Sequence, residues 1–346
     1  MARTHRRRNR RAHRAPNPTG PRLMTYPPAT KPTFYFIGVT TAQSSIMRVF
    51  PAWARHLGLG DVEMKGIDFP LHASREAYRE VVEFLRRDPL SLGALVTTHK
   101  IDLYAACEDL FDEIDPHARV MGETSCLSKR DGKFVCHAKD PITSGFALDG
   151  FLPAGHFAQT GAELFSMGAG GSTIALTWHL MQRSRDANRP SRVIVSNRSA
   201  PRLEEIERIH RELDLGVPCE YVIAPRPEDN DAVLARLSPA ALVINATGLG
   251  KDAPGSPLTD RASFPERGIV WDLNYRGNLV FLDQARAQSH ARHLQIEDGW
   301  TYFIHGWTRV IAEVFHIDIP TSGPDFEQIC RIAAAAGKPG AVQPAA

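Results

Sequence analysis

Short apolar runs alternate with amphipathic stretches along most of the chain. FYFIGV (34–39) predicts a strand, and the apolar spacing from Ile46 to Leu57 predicts a helix. EMKGIDFP (63–70) reads as a second strand, followed by Ser74 as N-cap of a helix running through Tyr78, Val82 and Leu85. GALVTT (93–98) is a buried strand with a helix near Asp102–Cys107 behind it. This alternation predicts an α/β unit with a largely parallel sheet. After Asp140, PITSGFALDGFLP predicts a connecting helix closed by Pro153. Five β-like runs follow, AELFSMG (162–168), RVIVSNR (192–198), CEYVIA (219–224), ALVINATG (241–248) and GIVWDLNY (268–275). With helix-like sequence between them they predict a doubly wound, Rossmann-like sheet.

Composition narrows the class. At 346 residues, 43% hydrophobic and 23% charged, the chain has the size of two ordinary domains and the balance of a globular protein. No apolar run approaches the ~18 residues of a spanning helix. The net charge of +2 conceals an asymmetry: residues 1–32 carry eight Arg, one Lys and no acid, and the rest carries 32 basic against 39 acidic side chains. The body is therefore mildly acidic and unlike a nucleic-acid binder. The segment 1–32 is Arg- and Pro-rich and expected to be a disordered basic tail, with nucleic acid or an anionic surface as the only contact it suggests. It lacks the apolar stretch of a twin-arginine signal, and translation starting at Met24 is the simpler alternative. Residues 337–346 also read as a frayed tail. Cys107, Cys126, Cys136, Cys219 and Cys330 are odd in number and scattered, which fits reduced thiols of a cytoplasmic protein; no metal site is expected.

The chemistry begins at Gly168-Ala169-Gly170-Gly171-Ser172, between an apolar run and the helix-like STIALTWHLMQR. Glycines there let the backbone turn tightly and approach a pyrophosphate, whose charge the first helical N–H groups attract. A simple turn is the plainer reading of a glycine cluster, but strand before and helix after favour a dinucleotide. At the end of the next strand an NAD site places a carboxylate on the ribose hydroxyls. This chain has Asn197-Arg198-Ser199 with Arg202 beyond, which suits the 2′-phosphate of NADP(H).

With these segments in order, the chain resembles the shikimate dehydrogenase family from about Phe34 to Pro320. The resemblance rests on Gly38 through Ser44, Gly93 through Lys100 (GALVTTHK), Met121 through Leu127 (MGETSCL) and His137-Ala138-Lys139-Asp140. It continues through the glycine turn, the Asn197 triplet, Asn245-Ala246-Thr247-Gly248, Asp272-Leu273-Asn274-Tyr275 and Asp298-Gly299. It implies a substrate-binding and catalytic domain over 33–140, an NADP-binding domain over 141–297, and C-terminal helices over 298–336 returning to the first domain. Lys100 and Asp140 would be the catalytic pair. Substrate would be held by Ser44, Thr97, Ser125, Tyr275 and His305, and the cofactor by residues 168–172, Asn197, Arg198, Ser199, Arg202, Asn245, Thr247 and Gly248. The implied reaction interconverts a ring ketone and a secondary alcohol on a hydroxylated cyclohexene or cyclohexane carboxylate with NADP(H), as in aromatic amino acid biosynthesis, by a monomer or homodimer. Read without the resemblance, Lys100 is a solvated charge, Asp140 a cap before Pro141, Ser44 a cap of the next helix and Tyr275 a core aromatic.

Departures from the family pattern fall on the substrate side. The second loop serine is Ile46, with Ser45 adjacent. Leu95-Val96-Thr97 stands for Asn-Val-Thr, one residue closer to Lys100, and Thr98 or His99 replaces a proline. Ser125 and Ala138 replace asparagines, and His305 or Gly306 a glutamine. A pocket that loses its amides loses the partners of ring hydroxyls, so the expectation is the same reaction on a related but different substrate. Lys139 adds a cation beside Asp140. Two rival readings stand: a catalytically idle NADP-binding sensor of the same fold, and a folate-linked dehydrogenase, in which Ser44 and Tyr275 have no role.

Overall fold

The computed structural model describes residues 26–251 and 253–337. Most of segment 1–32 and residues 338–346 thus lie outside the described residues. The end of the expected tail is packed: Tyr26 stacks on Phe84 with ring centroids 5.2 Å apart, and the buried Ala29 donates its N–H to Asp88 at 2.6 Å.

Among the described residues, twelve strands form two six-stranded sheets. The first contains β1 (Thr33–Gly38), β2 (Glu63–Asp68), β3 (Ser91–Val96), β4 (Glu113–Ile114), β5 (Cys126–Arg130) and β6 (Lys133–His137), in the order β2-β1-β3-β5-β6-β4. β1 pairs parallel with β2 and β3, but β5 runs antiparallel to both β3 and β6. β4 pairs parallel with β6, so three of the five pairings are parallel and the expected largely parallel sheet is interrupted only at β5. The cause is local. Asp131 and Gly132 both have positive φ (52° and 75°), the requirement of a tight two-residue hairpin turn, and they reverse the chain within the sheet.

The second sheet contains β7 (Leu164–Met167), β8 (Val193–Asn197), β9 (Cys219–Ile223), β10 (Leu242–Asn245), β11 (Ile269–Asp272) and β12 (Gln295–Glu297). All its pairs are parallel and the order is β12-β11-β10-β7-β8-β9, the doubly wound arrangement. It has six strands against five β-like runs in the sequence, because β12 is three half-buried residues with little apolar signal.

Side-chain alternation explains why both sheets are covered on two faces. Phe34, Phe36 and Leu95 face the helices Ile46–His56, Trp300–Phe315 and Gly323–Gly337. Tyr35, Ile37, Ala94 and Val96 face the helices Arg75–Arg87 and Lys100–Cys107. The C-terminal helices thus return to the first sheet. In the second sheet Leu164, Val193, Val195 and Leu242 pack on one face and Phe165, Ile194, Val243 and Val270 on the other. Strands buried on both faces read as continuous apolar runs, which is why they are visible in the sequence. The helix Asp140–Phe151 links the two sheets and packs on both Gly171–Met181 and Trp300–Phe315.

Candidate active site

β3 ends at Val96 and the chain makes an unusually tight turn before the helix Lys100–Cys107. Thr97 Oγ1 donates to the Ile37 carbonyl at 3.3 Å, the His99 N–H closes back on the Thr97 carbonyl, and Thr98 between them has φ +51°. His99 is buried, its Nδ1 2.8 Å from the Tyr78 hydroxyl and its Nε2 without a partner; burial lowers its pKa and keeps the ring neutral. This turn delivers Lys100 as the first residue of its helix.

Lys100 Nζ donates to Asp140 Oδ2, and the two side chains are 17% and 8% exposed. Burial opposes the ammonium, but the carboxylates of Asp140 and Glu123 outweigh it and raise the pKa of Lys100 above its ordinary value. Tyr302, on the C-terminal helix, donates to the same Asp140 oxygen at 3.2 Å. Burial, then the neighbouring Asp140 charge, hold the Tyr302 pKa well above the usual phenol value, so its hydroxyl is a fixed donor. Sequence reasoning missed Tyr302. The signal it left is its place four residues after Asp298.

Of the expected substrate residues, Ser44 and Tyr275 meet: the Tyr275 phenol lies beside the side chains of Ser44 and Ser45, and its ring packs on Phe303 at 4.6 Å. Ser125 is turned to structure. Its Oγ accepts the Lys139 N–H at 2.7 Å and so supports the turn into Asp140. His305 is buried under Phe326, stacked at 4.4 Å, with Nδ1 unpartnered; burial pushes its pKa down to about 4. Lys139 is paired with Glu313 at 2.7 Å rather than with Asp140.

Across the interdomain cleft, a cavity of about 250 Å³ opens at the carboxyl ends of β7 and β10. These neighbours are where the strand order reverses, the place at which open α/β sheets bind ligands. Gly168, Ala169, Gly170, Asn197, Arg198, Arg202 and Thr247 line the cavity. Gly168 has φ +103°, and a Cβ there would lie 2.7 Å from the Ala246 carbonyl oxygen, so only glycine fits. Asn197 and Ser199 brace the loop: Asn197 Nδ2 donates to the Ser199 carbonyl and hydroxyl, both at 3.1 Å. Asn245 is buried and holds the Thr247 N–H and hydroxyl, and Gly248 (φ +76°) continues that loop. Arg202 also approaches Asp102 of the first domain at 4.0 Å. Two lining residues went unnoticed in the sequence. Arg226 adds a third guanidinium, and the buried Asn230 has an unpartnered Oδ1. Gly171 and Ser172 lie outside this cavity's lining, and the Ser172 side chain bonds Tyr302.

No protein-family profile matches the chain. A curated shikimate dehydrogenase (NADP(+)) of Symbiobacterium thermophilum is 29% identical over 188 residues, 54% of this chain and 60% of that protein. The Sphingopyxis alaskensis enzyme of the same name is 26% identical over 302 residues, 87% of this chain and 96% of that protein. The chain is thus similar to curated shikimate dehydrogenases at 26–29% identity. Its fold agrees with the solved shikimate 5-dehydrogenase of Thermus thermophilus, in complex with NADP(H) and shikimate. That match has a TM-score of 0.61 at 23% identity and covers 88% of this chain and 99% of the other. The first two curated matches cover 60% and 55% of those relatives' length, little more than half. The cleft of this chain holds the Lys100–Asp140 pair on one side and the glycine turn on the other. Among the described residues no cluster of His, Cys, Asp and Glu could hold a metal ion, and no helix is long and apolar enough to cross a membrane.

Proposed function

We propose that the protein is an NADP(H)-dependent oxidoreductase that interconverts a ring ketone and a secondary alcohol on a hydroxylated cyclic carboxylate, shikimate or a close relative. The observation that carries this is the buried Lys100–Asp140 pair, to whose carboxylate Tyr302 also donates. The domain division over 33–140, 141–297 and 298–336 belongs to the same proposal. So do the site roles given to Lys100, Asp140, Ser44, Tyr275 and the residues of the cofactor loops.

The cofactor fits the residues present. Gly168 leaves a cradle that any Cβ would fill, and Arg198, Arg202 and Arg226 supply the planar donors that a 2′-phosphate takes. When bound, NADP(H) supplies or accepts the hydride. Hydride addition to a carbonyl builds negative charge on its oxygen, and the Lys100 ammonium stabilises that charge and delivers the proton. Asp140 fixes Lys100 in place, and Tyr302 fixes Asp140. Ser44 and Tyr275 offer two hydroxyls to the substrate carboxylate. Ser125 accepts the Lys139 N–H and keeps its own O–H to donate, while His305 is buried under Phe326, so ring-hydroxyl recognition passes to fewer groups than the sequence suggests.

The test is NADPH formation from NADP+ with shikimate, quinate and a panel of cyclitols, repeated with NAD+. NADP-dependent oxidation of one hydroxylated ring acid is the expected result. Tight NADP+ binding with no turnover on the whole panel would favour the idle sensor instead.

A further inference from the structure

Glu123 is a buried acid that the proposed reaction does not use. It is 1% exposed, and neither carboxyl oxygen has a hydrogen-bond partner. Its backbone is fixed: the N–H closes the short helix Pro116–Met121 on the Ala118 carbonyl, behind Gly122 at φ +60°. The next residue, Thr124, donates its N–H to the Lys100 carbonyl at 3.1 Å. The carboxyl is directed at Gly171, the first residue of the eleven-residue helix after the glycine turn. A Cβ on Gly171 would sit 2.1 Å from Glu123 Oε2, so glycine there leaves the room that the carboxyl occupies. Facing it are Lys100, Asp140, Tyr302 and Cys136, each from a different element.

A buried acceptor without donors is costly, and a carboxylate at a helix start competes with any phosphate there. The pyrophosphate carries acceptors only, so this carboxyl does not suit it. The nicotinamide riboside half of the dinucleotide is different, because it carries an amide N–H and ribose O–H groups. We propose that Glu123 accepts a hydrogen bond from the nicotinamide riboside half of the bound dinucleotide, from its carboxamide N–H or a ribose hydroxyl. This rests on the cofactor reading above. Burial, then the Asp140 charge, push the Glu123 pKa up to about 7 against the pull of Lys100, so a bound donor is what keeps the carboxylate ionised at neutral pH.

The experiment measures dissociation constants by calorimetry for wild type, Glu123→Gln and Glu123→Ala, with NADP+ and with 2′,5′-ADP, which lacks the nicotinamide riboside. Glu123→Ala is expected to weaken NADP+ by roughly ten- to a hundred-fold, the loss of a hydrogen bond to a charged group, with 2′,5′-ADP unchanged. Glu123→Gln, which keeps an acceptor and the side-chain volume, should fall between and guards against a folding defect in the alanine variant. The 3-acetylpyridine analogue of NADP+ separates the two donors: if Glu123→Ala still weakens it, the donor is a ribose hydroxyl, otherwise the carboxamide. Unchanged or tighter NADP+ binding by Glu123→Ala overturns the proposal, as does an equal loss for both ligands. Wild-type protein that binds neither ligand would instead bring down the cofactor reading itself.

Discussion

The two halves of the cleft keep their chemistry in different parts of the chain. Around β7 and β10 much of the recognition lies with the backbone and the loops that shape it: the glycine turn, and a loop braced by Asn245. Around β1 and β3 the proposed recognition lies with side chains, Lys100, Asp140 and Ser44, brought together from three separate segments. Backbone recognition demands particular residues locally, since only glycine tolerates φ +103° against the Ala246 carbonyl. Side-chain recognition demands only that groups meet in space, so residues there can be exchanged while the scaffold persists. On the proposed reading, the nucleotide half accordingly keeps the pattern that the sequence resembles, and the substrate half departs from it at Leu95, Ser125, Ala138 and the shortened turn before Lys100.

The largest expected effect would separate the halves outright. Lys100→Ala removes the proposed proton donor and should lower kcat by about a hundred- to ten-thousand-fold. Because Lys100 lies outside the arginine-lined cavity, affinity for 2′,5′-ADP should hold. Equal loss of turnover and 2′,5′-ADP affinity would mean that the two halves do not work independently.

A pair of buried histidines, one in each half, compares them by stability. Burial lowers the pKa of His210 and of His305 from 6.5 to about 4. Between those values the unfolded chain binds protons that the folded chain refuses. Stability therefore falls as pH drops through that window, by roughly 3 kcal/mol for each histidine. The two differ in what else they do. His210 Nε2 lies 2.7 Å from Thr177 Oγ1 and its Nδ1 2.8 Å from the Tyr221 hydroxyl, whereas His305 Nδ1 has no partner. His305→Phe should flatten part of the acid limb of a denaturation series at little cost at pH 7. His210→Phe should flatten it too, but lose about 1 kcal/mol at pH 7 through its broken bond to the Tyr221 hydroxyl, since the Thr177 hydroxyl keeps the Thr173 carbonyl. Identical behaviour of both variants at pH 7 would refute the contrast.

Gly168→Ala tests the backbone half alone. The strained φ should cost about 1–3 kcal/mol in denaturant unfolding, and 2′,5′-ADP affinity should drop with it. Stability and affinity as in wild type would show that the turn does not need glycine.

Legibility followed the same division. Strands buried on both faces and the glycine turn were visible because burial and backbone geometry mark the sequence where they act. The β5–β6 hairpin left a signal in Asp131-Gly132 that the apolar pattern overshadowed, and β12 is too short and polar to leave one. Lys100 and Asp140 are 40 residues apart and carry no periodicity, so the family resemblance alone named them as a pair. Tyr302, Glu123 and Asn230 were not legible. Each owes its place to a neighbour remote in sequence, Asp140, Gly171 and the Pro257 carbonyl respectively.

The smallest effect concerns the shortened turn. With one residue fewer than the family pattern, the chain from β3 reaches Lys100 through Thr98 at φ +51°, a conformation unfavourable for a β-branched residue. Thr98 is exposed, so its side chain gives little packing in return. Thr98→Gly should relieve about 1 kcal/mol of strain, less the extra freedom glycine gains in the unfolded chain, and raise Tm by about 1–2 °C. The same freedom loosens the one segment that aims Lys100 at Asp140, so kcat should fall slightly while 2′,5′-ADP affinity stays fixed. A lower Tm would show that the turn is relaxed as it stands. A higher Tm with reduced turnover would place the strain in the substrate half, where the side-chain chemistry needs the chain held still.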